Sequence, residues 1–300
     1  MTIAGQDGAG TPGGAAYSNT IGANVANGGM APFIKDSGSN ITGLKSPVSN
    51  VQLGTVHRNL WAQFSATTLC ADDGSVLDLS GNANHATRGA NLSIAQMNGV
   101  SGYYSTLLAG TNGHDPSLHM PSINFDYNGG EILLLVTLFK MATPAADGAI
   151  IANSSSTSAN GFRIRARTTG YLDVGMFSTT GSISFASGNC INALLDSTLH
   201  QFAVLINGRT QQGIFWEDGA ITRATVTFPA TCDTRESTSL NFGSVLQTPT
   251  VIAHTSATQQ RGTVIMRWSA TDPAPATADI TTLLAKLRRD PGRIVVMGDV

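Results

Sequence analysis

Charge is scarce in this chain. Lys, Arg, Asp and Glu make up 12% of its 300 residues, about half the roughly 25% usual in globular domains. The balance is close to neutral, with 17 basic and 19 acidic residues and a net charge of −2. Tracking a phosphate backbone needs a basic excess, so nucleic acid is not an expected partner. Cysteine is scarce too. Cys70, Cys190 and Cys232 form an odd set with no CxxC pair, which argues against a disulfide framework and a zinc site. Buried thiols are expected, with a Cys190–Cys232 bridge as the pairing left open. Long apolar runs are missing. The longest, Ile132–Phe139, has the length of a buried strand, far short of the ~18 residues of a membrane span. The first residues, Met1-Thr2-Ile3-Ala4-Gly5-Gln6-Asp7, have neither the basic nor the apolar region of a signal peptide. The expectation is a protein made in a cytoplasm that leaves, if at all, by a route such as lysis of a host around a phage particle.

What the chain does have is small polar residues. There are 33 Gly, and Ser, Thr and Asn are abundant, beside 41% hydrophobic residues. Many tight turns around a sizeable core point to an all-β protein. Residues 1–55 differ from the rest. They hold 11 Gly, and Asp7, Lys35, Asp36, Lys45 and Arg58 are the only charged residues up to position 60. Without sustained apolar periodicity, such a segment buries too little surface to offset its ordering entropy. It reads as an extended Gly-rich assembly arm that lies on neighbouring subunits, with an arm wrapped on its own domain as the alternative.

A β-sandwich is predicted over 56–275. Leu60–Phe64 alternates apolar with small or polar residues. Glu131–Lys140 reads as a central strand buried on both faces. Gly161–Arg167 alternates strictly, turns at Thr169-Gly170 and returns through Tyr171–Phe177, a hairpin with one wet face. Leu199–Ile206 ends at Asn207-Gly208, the strongest short hairpin signal, and Gly213–Glu217 pairs back toward Asp218-Gly219. Ser239–Gly243 and Gly262–Trp268 bring the set to about twelve strands. One helix is predicted, with Ile280, Leu283, Leu284 and Leu287 on a single face. Thr277 is its expected N-cap and Pro291-Gly292 its stop. Residues 276–300, helix and tail, are expected to pack on the sandwich, with Arg293–Met297 able to add an edge strand.

These pieces, in this order, resemble the laminin-G-like, concanavalin A-like lectin domain over roughly residues 58–290. The family's opening element, D-x-S-G-N-x-x-H-x-G, resembles Asp78-Leu79-Ser80-Gly81-Asn82-Ala83-Asn84-His85, with Gly89 four residues on. Its f-T-V-S-A-W-F-K strand resembles Ile132–Lys140, and its G-F-x-L-x-L hairpin resembles Gly161–Arg167. Its W-H-H-V-A-V-x-x-D-G strand resembles Leu199–Gly208, with Leu199 in place of Trp. Its L-Y-V-D-G hairpin resembles Phe215-Trp216-Glu217-Asp218-Gly219, and its last strand and helix resemble Thr263–Leu287. The resemblance implies a concanavalin A-like jelly roll, a fold that hosts lectins, adhesion modules, glycanases and virion proteins. Fold alone does not choose among them.

The residues narrow the choice. A glycanase needs two carboxylates across one sugar. No E-x-D-x-E pattern occurs, and Glu217-Asp218 is the one adjacent acidic pair in a strand context, with Asp218 better suited to the turn. No G-x-S-x-G marks a nucleophile. His114 and His119 are spaced i, i+5 in a Pro-containing loop, a poor metal spacing. His85 is expected to cap the Asp78 loop and His200 to sit in the sandwich. Asp78, Ser80, Gly81, Asn82 and His85 read as a structural loop. The resemblance also allows calcium on loop carboxylates, here Asp72, Asp73 and Asp78, although turn formation is the expected role of each and no cofactor is expected. Arg163, Arg165 and Arg167 alternate on one strand face. That face is either simply solvated or a groove for an acidic glycan or an acidic neighbouring subunit. Tyr103, Tyr104, Tyr171 and Trp216 are the candidate aromatic contacts for a glycan or a partner.

The first expectation is a non-enzymatic structural protein of a bacteriophage particle, a head-decoration, tail or fibre component. It would meet other virion proteins and its own copies through the arm, and reach a host-surface glycan through the lectin-like domain. The alternatives are a carbohydrate-binding adhesion module and a polysaccharide-degrading glycanase.

Overall fold

The computed structural model describes residues 21–26, 29–35, 41–43, 56–69, 73–97, 104–106, 117–153, 161–177, 183–185, 190–228, 230, 232, 239–243, 245–248, 251–253 and 258–300. The chain divides into two compact units, residues 1–58 with 293–299, and residues 59–292 with 300.

In the first unit, β1 (Ile21–Ala26), β2 (Gly29–Lys35) and β3 (Ile41–Gly43) form an antiparallel meander. Ile21 pairs with Ile34, and Phe33 pairs with Gly43. The segment expected to be an extended arm therefore carries a sheet over 21–43. Gly, Ala and Pro fill much of β1 and β2, so few large apolar residues mark a period there and the sequence read as structureless. Val56 makes an antiparallel bridge to Val296, and the His57 N–H donates to the Val295 carbonyl at 3.0 Å. Asp299 closes the tail by accepting from the Val296 N–H and from Arg293. Residues 293–299 thus group with residues 1–58.

The second unit contains β4 (Leu60–Ser65), β5 (Thr87–Arg88), α1 (Ile94–Met97), β6 (Tyr104–Thr106), β7 (Leu118–Met120), β8 (Ile132–Ala142), β9 (Gly148–Ala152), β10 (Phe162–Ala166), β11 (Leu172–Phe177), β12 (Ile183–Phe185), β13 (Asp196–Asn207), β14 (Gln212–Glu217), β15 (Ala220–Thr227), β16 (Leu240–Phe242), β17 (Val245–Thr248), β18 (Val251–Ala253), β19 (Thr258–Trp268) and α2 (Thr277–Arg289). Two seven-stranded antiparallel sheets result. The back sheet runs β15-β14-β13-β8-β19-β4, with β6 beside β19. The front sheet runs β12-β11-β10-β9-β16-β7-β5. Strands distant in sequence lie side by side, as β8 does between β13 and β19. This is a jelly-roll β-sandwich with one longer helix. Among the described residues, no helix is long and apolar enough to cross a membrane.

Alternation decides what each face covers. Leu133, Leu135 and Phe139 of β8, with Phe64, Phe202, Val204, Phe215 and Ile265, meet Leu118, Ile164, Leu172, Val174 and Phe242 of the front sheet in one apolar core. Phe64 and Phe242 touch edge-to-face across the sheets, with centroids 5.9 Å apart. The intervening residues of the back sheet, Leu134, Val136, Leu138, Ala203, Trp216 and Val264, are also buried, as are Ile280, Leu283, Leu284 and Leu287 of α2. The Gln201 amide donates to the Leu284 carbonyl and the Trp216 indole donates to the Thr281 hydroxyl, both at 3.0 Å. The helix therefore seats on the outer face of the back sheet. Each large side chain buried in these layers contributes roughly 1.5–3 kcal/mol. Thr277 is not the N-cap but the first helical residue. Ala276 holds the cap position without a side-chain bond.

The Asn207-Gly208 hairpin forms, but not as the two-residue turn that the pair suggests. Asn207 pairs with Gln212, leaving Gly208–Gln211 as a four-residue loop. The left-handed residue is Gln211, with φ of 56°. Gly208 is required for a different reason: a Cβ there would lie 2.2 Å from the Tyr127 carbonyl oxygen. Thermal denaturation should separate the two roles. Gly208→Ala is expected to destabilise by ~1–3 kcal/mol or more, as overpacking against backbone does. Gln211→Gly is expected to be neutral or stabilising, because glycine removes the left-handed penalty.

Candidate functional site

The Asp78 loop is built to hold backbone. Asp78 Oδ1 accepts the Gln63 N–H of β4 and the Ser80 N–H, both at 2.9 Å. Oδ2 accepts the Ser80 hydroxyl at 2.6 Å and the Asn84 N–H at 3.0 Å. The amides of Asn82 and Asn84 donate to the Leu60 and Trp61 carbonyls, each at 2.6 Å. His85 Nδ1 accepts the Asp78 N–H at 3.0 Å. Gly81 and Ala83 have φ of 85° and 58°, which lets the chain fold tightly enough for these bonds. Short side chains with two acceptors or an amide suit this geometry. Both Asp78 oxygens are turned to protein donors, and Asp73 Oδ1 serves Ser75 in the same way. Asp72 lies outside the described residues. Among the described residues, no three His, Cys, Asp or Glu side chains converge as metal ligands.

Glu217 is equally committed. It is buried and accepts the N–H groups of Ile191 at 2.8 Å and Asn192 at 2.7 Å, and the Thr222 hydroxyl at 2.7 Å. Burial pushes the neighbouring Cys190 thiol up, and the Glu217 charge adds to this. Cys190 and Cys232 are free, buried thiols, so the bridge left open by the sequence does not form. Burial likewise raises Cys232, to about 11.

One constellation has triad-like distances. Thr198 Oγ1 lies 3.0 Å from His200 Nε2, and His200 Nδ1 lies 2.8 Å from Asp218 Oδ2. A nucleophile, however, must give its proton to the base. Here the Thr198 hydroxyl donates to Asp196 Oδ1 at 2.7 Å, and the same oxygen sits 2.9 Å from His200 Nε2. Burial lowers the His200 pKa, but the bonds to Asp218 and Asp196 outweigh it and the net shift is upward. That makes His200 an acid held between carboxylates, poorly suited to activate a hydroxyl.

The front sheet presents a different kind of face. Register places Thr87, His119, Asn241, Ala152, Arg163 and Gly175 in one line across β5, β7, β16, β9, β10 and β11. Their strand neighbours Leu118, Ile151, Ile164 and Val174 point into the core, so this line points away from it. His119 Nδ1 lies 2.5 Å from Asn241 Oδ1, which also accepts the Ser239 hydroxyl. Beside the line, Arg165 forks onto Asp173 at 3.0 and 2.7 Å. Arg167 joins the same carboxylate at 3.1 Å and reaches Asp147 at 3.2 Å. The expected wet face is thus graded. Arg163 is 2% exposed, whereas the side chains of Arg165 and Arg167 are 12% and 33% exposed. Burial and then the charge of Arg165 pull the Arg163 pKa down to about 10, against the pull of Asp173 and Asp147.

The aromatic candidates fare unevenly. Trp216 is fully buried behind α2 and cannot serve as a glycan platform; its indole needed a partner, and Thr281 supplies it. Tyr171 is half-buried just after the Thr168–Gly170 turn that carries Arg167. Tyr104 lies on β6 opposite Gln260. Tyr103 lies outside the described residues, as do His114 and Cys70. The sequence reading missed Asp147, Asp173, Asn241 and the role of His119. Asp173 had a signal: a tight turn centred on Thr169 puts it directly opposite Arg165.

No protein-family model matches this chain, and no curated protein sequence matches it. Solved structures do. The binding domain of botulinum neurotoxin serotype D superposes with a TM-score of 0.51 at 10% identity, covering 77% of this chain and 51% of that one. Botulinum neurotoxin type C, which depends on interaction with two ganglioside molecules to enter cells, gives 0.51 at 13% identity, covering 78% and 52%. The Trypanosoma rangeli sialidase, in complex with sialic acid, gives 0.52 at 10% identity, covering 90% and 44%. The chain therefore spans about half the length of the proteins it superposes on, and shares with them a jelly-roll β-sandwich.

Two substitutions test the carboxylate roles. Asp78→Ala should lower stability by ~1–3 kcal/mol, the effect of leaving buried donors unpaired, and equally in calcium and in chelator. A wild-type melting point that falls sharply in chelator, with the variant indifferent, would make Asp78 a metal ligand. Glu217→Gln should also destabilise by ~1–3 kcal/mol, because its NH2 group would face donors. It should change no polysaccharide turnover.

Proposed function

We propose that this protein is a non-catalytic carbohydrate-binding module whose ligand is an acidic glycan, held on the outer face of the front sheet where β10 turns into β11. The observation that carries this reading is the arginine face. Arg165 and Arg167 share Asp147 and Asp173 there, with Arg163 buried on the same strand face, in a chain of net negative charge. Arg167 and Tyr171 are half-buried and flank the exposed Thr168-Thr169 turn, with the Arg167 N–H donating to the Tyr171 carbonyl at 2.9 Å. A planar guanidinium recognises a carboxylate through two parallel bonds, and a tyrosine ring offers an apolar surface with a polar tip. The ganglioside dependence of one fold neighbour and the sialic acid complex of another are in keeping with the same ligand chemistry.

The particle-attachment role is the second part of the proposal. Residues 1–58 form their own unit with the tail, as a joining element would. Its setting is taken to be a bacteriophage virion, from the near absence of charge in this segment and the resemblance of the domain.

A glycan array followed by titration calorimetry tests the first part. Wild type should bind carboxylated glycans above neutral ones. Arg167→Gln should weaken binding about tenfold or more, the worth of a lost charge-assisted bond. Failure to bind any acidic glycan, or an unchanged affinity in the variant, would refute the site. Deleting residues 1–50 tests the second part: the β-sandwich should stay folded and soluble, but drop out of purified particles when these are analysed by mass spectrometry.

A further inference from the structure

His200 stands where three elements meet. Its Nε2 lies 2.9 Å from Asp196 Oδ1 and its Nδ1 lies 2.8 Å from Asp218 Oδ2. Asp196 opens a bulge in β13, where the register against β8 slips between Asp196 and Leu199. Within that bulge Ser197 is left-handed, with φ of 71°. Asp218 sits in the turn between β14 and β15 and is itself left-handed, with φ of 52°. Both are non-glycine residues in a left-handed conformation that L side chains disfavour. Each carboxylate also braces its own backbone: Asp196 accepts the Thr198 N–H at 2.8 Å, and Asp218 accepts the Gln201 N–H at 3.0 Å. From α2, Arg288 donates to the Asp218 carbonyl at 2.6 Å and approaches its carboxylate to 3.6 Å.

The ring's bonding fixes its charge. A neutral imidazole has one N–H and one lone pair. With a carboxylate on each nitrogen, the neutral ring would turn its lone pair toward one of them. Both contacts are satisfied only when both nitrogens carry hydrogen. We propose that His200 is a proton-dependent latch that ties the β13 bulge to the β14–β15 turn and so to the helix. On losing its proton it releases one carboxylate, and the two strained turns it bridges lose their tie.

The surrounding charges are few. Asp196 on the bulge and Asp218 on the turn favour the cation, and Arg288 on α2 opposes it weakly from an exposed position. Glu217, next to the turn, is turned away onto Ile191 and Asn192. Lys140 of β8 pairs with Leu199, and so faces the opposite side of the sheet from His200. The sign follows from the upward net shift. The latch is complete below the ordinary histidine value of about 6.5, and is lost as pH rises through the higher folded-state value.

The test uses the full chain. Imidazole nitrogen NMR should show His200 titrating above the ordinary histidine value, with both nitrogens protonated at pH 6. Amide exchange at Thr198 and Gln201, corrected for intrinsic rates, should speed up about tenfold between pH 6 and 8.5, as the loss of one charge-assisted bond predicts. His200→Gln should remove this pH dependence. Asp196→Asn keeps the ring and should move the transition to lower pH, so the latch remains testable if the glutamine variant folds poorly. Titration at or below the ordinary value, or exchange that rises equally in wild type and both variants, would overturn the latch.

Discussion

Everything in the sandwich follows from burying β8 on both faces. A strand reading Ile-Leu-Leu-Leu-Val-Thr-Leu-Phe from 132 to 139 has no polar side to offer water. It must lie mid-sheet with cover above and below. The front sheet covers one face, through Leu118, Ile164, Val174 and Phe242. The helix covers the other, and its four buried residues exist for that purpose. Of the four faces that two sheets possess, three are then committed to apolar contact. The outer face of the front sheet is the remaining one, and there the polar side chains of the sheets collect: Arg163, Arg165, Asp173, His119 and Asn241. The position of the candidate site is thus a consequence of core packing.

The second constraint is the shortage of charge. With 19 acidic residues in 300, the chain spends its carboxylates on its own backbone. Asp78 takes three N–H groups, Glu217 takes two, Asp126 takes Gly129, Asp147 takes Thr168, and Asp272 takes Ser269. Each such bond is charge-assisted, and about twice as strong as a neutral one. A jelly roll needs many irregular connections, and irregular connections leave N–H groups without ladder partners. Carboxylates that look catalytic in the sequence are therefore the pins of the loops. The arginines play the complementary part: Arg209 donates to the carbonyls of Gly130, Ser269 and Asp272, and Arg267 forks onto Glu131 while donating to the Ile123 carbonyl.

How much of this the sequence announces depends on length of signal. β8, β10, β11, β13 and the buried stripe of α2 are five to thirteen residues long, enough for a period to declare itself. The Asp78 loop declared itself through residue chemistry, since Asp, Ser, Gly and Asn in that order have few other uses. The front sheet was mostly illegible, because β5, β7, β12 and β16 are two or three residues each, too short to show alternation. The sheet over 21–43 was hidden differently: β1 and β2 are at least as long as β10, but Gly22, Ala23, Ala26, Gly29, Ala31 and Pro32 leave few large apolar residues to mark a period. Trp216 misled for a different reason: an indole looks alike in sequence whether its N–H reaches solvent or a threonine. Arg163 misled because alternation reports which face a residue takes, not how deeply that face is covered.

A likeness near 10% identity carries the fold and no ligand, so the choice among functions rests on local chemistry. The arginine face is informative because its exposure is uneven. Asp173 is shared by Arg165 and Arg167, and Asp147 lies against both of the same arginines. Two carboxylates therefore serve two guanidinium groups, with Arg163 buried on the same strand face. Burying a cation is unfavourable, and burial is the first cause of the lowered Arg163 pKa. Exposure rises along the strand from Arg163 through Arg165 to Arg167 at the turn. The guanidinium that solvent reaches most is therefore the one on which the proposed glycan site depends, and a planar guanidinium is suited to a carboxylate.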